Sequence, residues 1–135
     1  MSFFVRIMQA GMVLAFFAPA TDLKITDSRG AEVVVRGAII DYGGMLTVDN
    51  VADGIRVLQG DATVNVKWSD VDTLRVTKVD STEKPPRINL EIVLRNKKRV
   101  AAALYREGHM KLTGKSDLGD YSIDLEKVQR IVPIR

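Results

Sequence analysis

The sequence predicts an all-β protein: two tandem small barrel modules related by internal duplication and preceded by a signal segment. Three observations carry this expectation. Short runs alternate apolar and polar residues, the period of strands with one buried face, and turn residues separate the runs. Two stretches of the chain match position by position in their apolar residues. Aromatic residues make up only 6% of the chain, so a core must be assembled from Val, Ile and Leu, which suit pleated surfaces.

The expected organisation is a signal peptide over 1–20, a first module over 21–79, a linker over 80–87 and a second module over 88–135. Residues 1–20 carry one positive charge at Arg6, an apolar run from Ile7 to Phe17, and Ala18-Pro19-Ala20. Charge, greasy stretch and small-x-small site form the pattern of a secretory signal, with cleavage between Ala20 and Thr21. The alternatives are a short core helix and an uncleaved anchor. An anchor needs about 20 apolar residues, and a run interrupted by Gln9 falls short.

Each module opens on a strand, Leu23-Lys24-Ile25 in the first and Leu90-Glu91-Ile92 in the second. Polar turns follow, Asp27-Ser28-Arg29-Gly30 and Arg95-Asn96-Lys97-Lys98. Asp at the first position and Gly at the last fit a type I turn. The next strands are Val33 to Ile40 and Val100 to Tyr105, ending at glycine turns, Gly43-Gly44-Met45 and Gly108-His109-Met110. Asn50 to Ala62 supplies a loop or hairpin extension peculiar to the first module. The closing segments match most clearly: Val64 with Tyr121, Val66 with Ile123, Trp68 with Leu125, Val71 with Val128, Leu74 with Ile131. Spacing two along the first three predicts a strand, and spacing three thereafter a single helical turn. Between the modules, Val79 to Arg87 is polar and contains Pro85-Pro86, the composition of a short, stiff linker.

Arg36-Gly37-Ala38-Ile39-Ile40-Asp41-Tyr42 with Met45-Leu46-Thr47-Val48-Asp49 resembles the first signature of the Sm-like barrels, and Val66-Lys67-Trp68-Ser69-Asp70-Val71-Asp72-Thr73-Leu74 resembles the second. The resemblance implies a small barrel of the Src-homology type. Trp68 stands where that family carries the glycine of its Arg-Gly pair, and Thr47 where it carries a base-contacting asparagine, so its RNA-binding pocket is not carried over.

Chemistry is constrained by what is missing. The chain has no cysteine, which removes disulfides and thiolate metal sites, and one histidine, His109, in a predicted turn. Asp49 to Gly54 looks superficially like a calcium loop, but Val51 and Gly60 stand where oxygen ligands are required. Neither an enzyme nor a cofactor or metal site is expected. Charge is distributed unevenly: residues 21–80 carry seven Lys/Arg against ten Asp/Glu, and residues 81–135 twelve against seven. The excess gathers at one turn, in Arg95, Lys97, Lys98 and Arg99, the pattern of a solvated turn or of an electrostatic contact. These four residues and Trp68, read either as core or as an exposed stacking surface, are the candidate partner-binding residues. The function expected is a non-enzymatic binding or structural module exported to the periplasm or cell surface, as a subunit or adaptor of a larger assembly. Its partner would be an envelope protein, or an anionic polymer or lipid head groups, and opposite charge in the two modules permits homo-oligomers. If residues 1–20 are not a signal, the alternative is a cytoplasmic nucleic-acid-binding barrel pair.

Overall fold

A computed structural model describes residues 21–42, 50–51, 53–82, 84, 86–105 and 110–135. The expected signal over 1–20, the turn at 43–45, the Met45–Asp49 part of the Sm-like resemblance and His109 lie outside the described residues. The described residues are all-β, with eleven strands in one curled antiparallel sheet: β1 Leu23–Asp27, β2 Glu32–Asp41, β3 Asn50–Val51, β4 Gly54–Gln59, β5 Ala62–Lys67, β6 Val71–Asp80, β7 Arg87–Leu94, β8 Arg99–Tyr105, β9 Lys111–Ser116, β10 Gly119–Asp124 and β11 Val128–Pro133. Single 3-10 turns at Trp68–Asp70 and Leu125–Lys127 sit where the spacing of three predicted them. Among the described residues no helix is long and apolar enough to cross a membrane.

Hairpins close locally for reasons visible in the chain. At the first turn Gly30 N–H donates to the Asp27 carbonyl (3.0 Å), and the Asp27 carboxylate accepts from Arg29 N and Ala31 N (2.9 and 3.0 Å). Gly30 has φ +88°, the left-handed region that a side chain penalises. β4 and β5 are joined through Gly60-Asp61, with Gly60 at φ +62°. Much of the Asn50–Ala62 extension is therefore ordered as β3 and β4. In β2 the register shifts between Arg36 and Ile39, around Gly37 at φ +62°, and the strand bends there. Gly37 N–H donates to Asp22 Oδ1 (3.1 Å), which satisfies one group left over by the bulge.

The order of strands across the sheet is β10-β9-β2-β1-β11-β6-β7-β8-β4-β5, with β3 on β2. Strands of the first half of the chain are therefore interleaved, in blocks of one or two, with strands of the second. β1 lies between β2 and β11, and β2 also pairs with β9. At the other end β8 pairs with both β7 and β4. The segment read as a linker is the connection of the β6–β7 hairpin, whose last pair is Asp80 with Arg87.

Matching hydrogen bonds recur at the two ends of the sheet. Trp68 N–H donates to Asp53 O and Leu125 N–H to Met110 O, both at 3.0 Å. Arg95 N–H donates to Asp70 O (3.0 Å) and Ser28 N–H to Lys127 O (2.8 Å). The two ends meet where β6 and β11 pair, Leu74 opposite Ile131. A single apolar cluster runs through both ends, including Leu23, Ile25, Ile55, Trp68, Leu74, Leu112, Leu125 and Ile131. No polar or charged residue is buried among those described, which leaves hydrophobic burial as the main favourable term.

Candidate functional site

A concavity lies against β5, β4, β8 and β7. Its volume is about 540 Å³, within the range of binding clefts generally. Val57, Val64 and Val66 line it from the β4–β5 hairpin, and Ile92, Leu94, Val100 and Ala102 from the β7–β8 hairpin. Val57 and Ile92 are buried, whereas Val64, Val66, Leu94, Val100 and Ala102 are only half-buried. An apolar floor thus stays partly open to solvent. Gln59, Asn65, Asp70, Arg95 and Asn96 complete the lining as polar groups.

The basic turn forms part of this wall. Lys97 N–H donates to the Leu94 carbonyl (2.8 Å) and Leu94 N–H to the Lys98 carbonyl (2.9 Å), while Asn96 Oδ1 accepts from Lys98 N (2.9 Å). Arg95 N–H on the Asp70 carbonyl ties the turn to the 3-10 segment after β5. Of the four basic residues expected to act together, two are neutralised locally. Lys97 Nζ pairs with Asp72 Oδ2 (3.1 Å), and Arg99 Nη1 with Glu91 Oε1 (3.3 Å), which also holds Arg75 Nη2 (3.0 Å). Among the described residues Arg95 and Lys98 have no ion-pair partner, and Arg95 is the one that lines the cleft.

Lys97 has φ +72°, the place that Gly30 takes in the first turn. A left-handed conformation costs a non-glycine residue about 1–2 kcal/mol. The turn accordingly retains a charged side chain at a position where glycine is intrinsically more stable.

Trp68 is elsewhere. It is 1% exposed, among the largest fully buried side chains, so its ring has no face to offer a ligand. The exposed-stacking reading is corrected accordingly: the ring plugs the core beneath the first 3-10 turn, as the match with Leu125 implied. Arg135 caps the region by donating to the Trp68 carbonyl (3.4 Å) and to the Val71 carbonyl.

At the other end of the sheet two of the corresponding positions carry larger side chains. Val64 sits opposite Val57 in the β4–β5 ladder, and Tyr121 sits opposite Gly114 in the β10–β9 ladder. Ala102 pairs with Leu90, and Val35 pairs in the same way with Leu23. Tyr121 packs half-buried against the core, and Val35 is fully buried. A Cβ on Gly114 would lie 2.5 Å from Val35 Cγ1 and 2.8 Å from Arg36 O, which shows how close that approach is. Val64 and Ala102 of the cleft are thus smaller than Tyr121 and Val35 at the matching positions, while Val57 is larger than Gly114. The apolar alternation alone did not reveal this, because Val and Tyr satisfy the same pattern.

Beside β4, Tyr42 packs against the core and locks the strand. Arg56 N–H donates to Tyr42 Oη (2.6 Å), Tyr42 O–H donates to Arg56 O (3.5 Å), and the Arg56 guanidinium lies over the ring at 5.4 Å. Burial raises the Tyr42 pKa above the ordinary phenol value, against the lowering by its contacts with Arg56. The Tyr121 phenol is raised by burial and by Asp27, whereas Lys115 lowers the Asp120 carboxyl at an exposed position. None of these three groups lines the cleft. Among the described residues no three His, Asp or Glu side chains converge on a metal site. The cleft can shelter apolar groups and present a guanidinium to a carboxylate.

No family model, characterised protein or solved structure matches the chain.

Proposed function

We propose that this chain is a non-enzymatic binding module of the bacterial cell envelope, an adaptor or subunit that holds a protein partner in the cleft beside the turn at 95–99. The observation that carries the reading is the difference between the two ends of the sheet. One end carries the larger Tyr121 and Val35, and the other holds a partly open, apolar-floored cleft flanked by Arg95, which has no ion-pair partner among the described residues. Leaving half-buried Val64, Val66 and Leu94 beside solvent costs stability that a closed core would recover. A binding role accounts for that cost, as it does for the left-handed Lys97.

The framework itself is an internal duplication of a small Sm-like barrel in which the copies have exchanged strands. One barrel comprises β11, β1, β2, β9 and β10, and the other β6, β7, β8, β4 and β5. The matching hydrogen bonds and the Leu74–Ile131 pair support this reading. Export rests on the signal pattern of residues 1–20.

Crosslinking in intact cells tests the partner, comparing the natural chain with a variant in which Arg95, Lys97, Lys98 and Arg99 are all replaced by Gln. The variant is expected to lose most of its crosslinked product, and the natural complex to weaken with salt. An unchanged product at low salt refutes the role of the turn. Native protein beginning at Thr21 is the expected result of N-terminal sequencing, and an intact Met1 in the cytoplasm refutes export.

A further inference from the structure

We infer that the cleft receives an extended peptide segment that adds a strand to the free edge of β5, places apolar side chains over Val57 and Ile92, and sets a carboxylate on Arg95. The inference deepens the protein-binding reading above and rests on it.

Among the described residues β5 is the last strand of the sheet, and its one ladder is with β4. Along Ala62–Lys67 no described strand pairs with the outward backbone N–H and C=O groups, and such an edge is a template for another. Edges are commonly guarded by proline, by charge or by a covering segment. β5 contains no proline, and its one charge is Lys67 at the end. The opposite edge differs: β10 carries Asp120 and Asp124, which pair with Lys115 and Lys111 of β9. The unguarded edge is the one that borders the open cleft.

The composition of the site selects the segment. Side chains of a strand alternate, so a peptide paired to β5 directs every second residue into the curl. There the walls are Val64, Val66, Leu94 and Val100, which suit Val, Ile or Leu. At the β7–β8 turn Arg95 faces the cleft without a carboxylate among the described residues, and Lys98 adds a second free charge on the same turn. Asp70 lines the same mouth and repels a second acidic group. Arg95 and Asp70 are neighbours there, Arg95 N–H donating to the Asp70 carbonyl (3.0 Å), so this mouth receives a single acidic residue, on the Arg95 guanidinium. An aliphatic carboxylate would use the floor and Arg95 but would leave the β5 backbone unpaired.

The probe is a random octapeptide library displayed on phage and panned on residues 21–135, with selected peptides resynthesised for binding and NMR titration. Selected sequences are expected to alternate Val, Ile or Leu with polar residues and to carry one Asp or Glu. Bound peptide is expected to slow hydrogen exchange of β5 amides. Val64→Tyr and Ala102→Val, which install the residues found at the other end, are each expected to weaken binding about tenfold or more with the melting temperature retained. Arg95→Gln is expected to weaken it about threefold, and not for a peptide whose Glu is replaced by Gln.

Peptides that bind Val64→Tyr and the natural chain alike overturn the inference. So does laurate that fills the cleft and displaces peptide while β5 exchange stays unchanged, since this assigns a small amphiphile instead. Cell crosslinks that are lost on neutralising 95–99 but persist in Val64→Tyr sink the cleft alone and leave the protein-binding role standing.

Discussion

Severing the chain in the β6–β7 connection separates two accounts of this fold. If each half closed its own barrel, fragments 21–80 and 87–135 would each fold. The observed pairing says otherwise. Ile25 is opposite Ile131, Ile40 opposite Leu112, Val71 opposite Leu94, and Leu74 lies between Ile92 and Ile131. Every one of these partners belongs to the other half. Within the first fragment β6 would keep neither neighbour, and the remaining ladders are two-stranded pairings of the kind that is marginal alone. Uncovering those four buried side chains costs about 1.5–3 kcal/mol each, so about 6–12 kcal/mol in all. That is comparable with the entire stability of a typical domain, about 5–15 kcal/mol. Each fragment is expected to show a collapsed amide spectrum and no cooperative melt. An equimolar mixture is expected to recover the spectrum of the intact chain as a one-to-one complex. A monomeric 21–80 fragment with dispersed resonances and a cooperative transition would refute the argument.

Further consequences concern single residues. Lys97→Gly relieves the left-handed strain and loses an exposed ion pair with Asp72, so chemical denaturation should show a net gain of about 1 kcal/mol, with weaker partner binding. Trp68→Ala empties the core beneath the first 3-10 turn and is expected to cost about 3–5 kcal/mol, visible as a lowered denaturation midpoint. Tyr42→Phe strips the acceptor from Arg56 N–H and should cost about 1–3 kcal/mol. Because burial raises the Tyr42 pKa, its contribution is complete below the ordinary value of 10.0 and is lost as pH climbs through the folded-state value. Alkaline titration of stability should therefore be shallower in Tyr42→Phe, with the remainder due to Tyr121. Gly54→Ala drives a methyl group into the Val66 carbonyl and should part the β4–β5 hairpin, lowering the melting temperature and exposing β5 amides to exchange.

Local features were legible in the chain because local chemistry makes them. Alternating Val64-Asn65-Val66 and the Asp27–Gly30 turn follow from pleat geometry and backbone hydrogen bonding. The change to spacing three at Trp68 and Leu125 marked both 3-10 turns. β9 was harder to see: Lys111-Leu112-Thr113-Gly114-Lys115-Ser116 contains one large apolar residue, and its strand state comes from pairing with β2 and β10. The basic turn was visible as a charge run. Which of its residues are unpaired depends on Asp72 and Glu91, which only the ladder brings near.

By itself, then, the sequence determined that the chain is a β protein, where the turns at 27–30 and 95–98 fall, and which of these is basic. Tertiary structure decided which strands pair and which end of the sheet stays open. The reason is that matched strands satisfy the same alternation, so period two cannot choose between them. Shape chooses instead. β2 brings Val35 and the Arg36 carbonyl so near its neighbour that only Gly114 of β9 fits, and Val57 holds the matching place in β4. β4 pairs with β8, which presents Ala102 and Ala103. The same small residue at 102, together with Val64, lines the cleft. One difference in side-chain volume thus accompanies both the choice of strand partner and the lining of the candidate binding site.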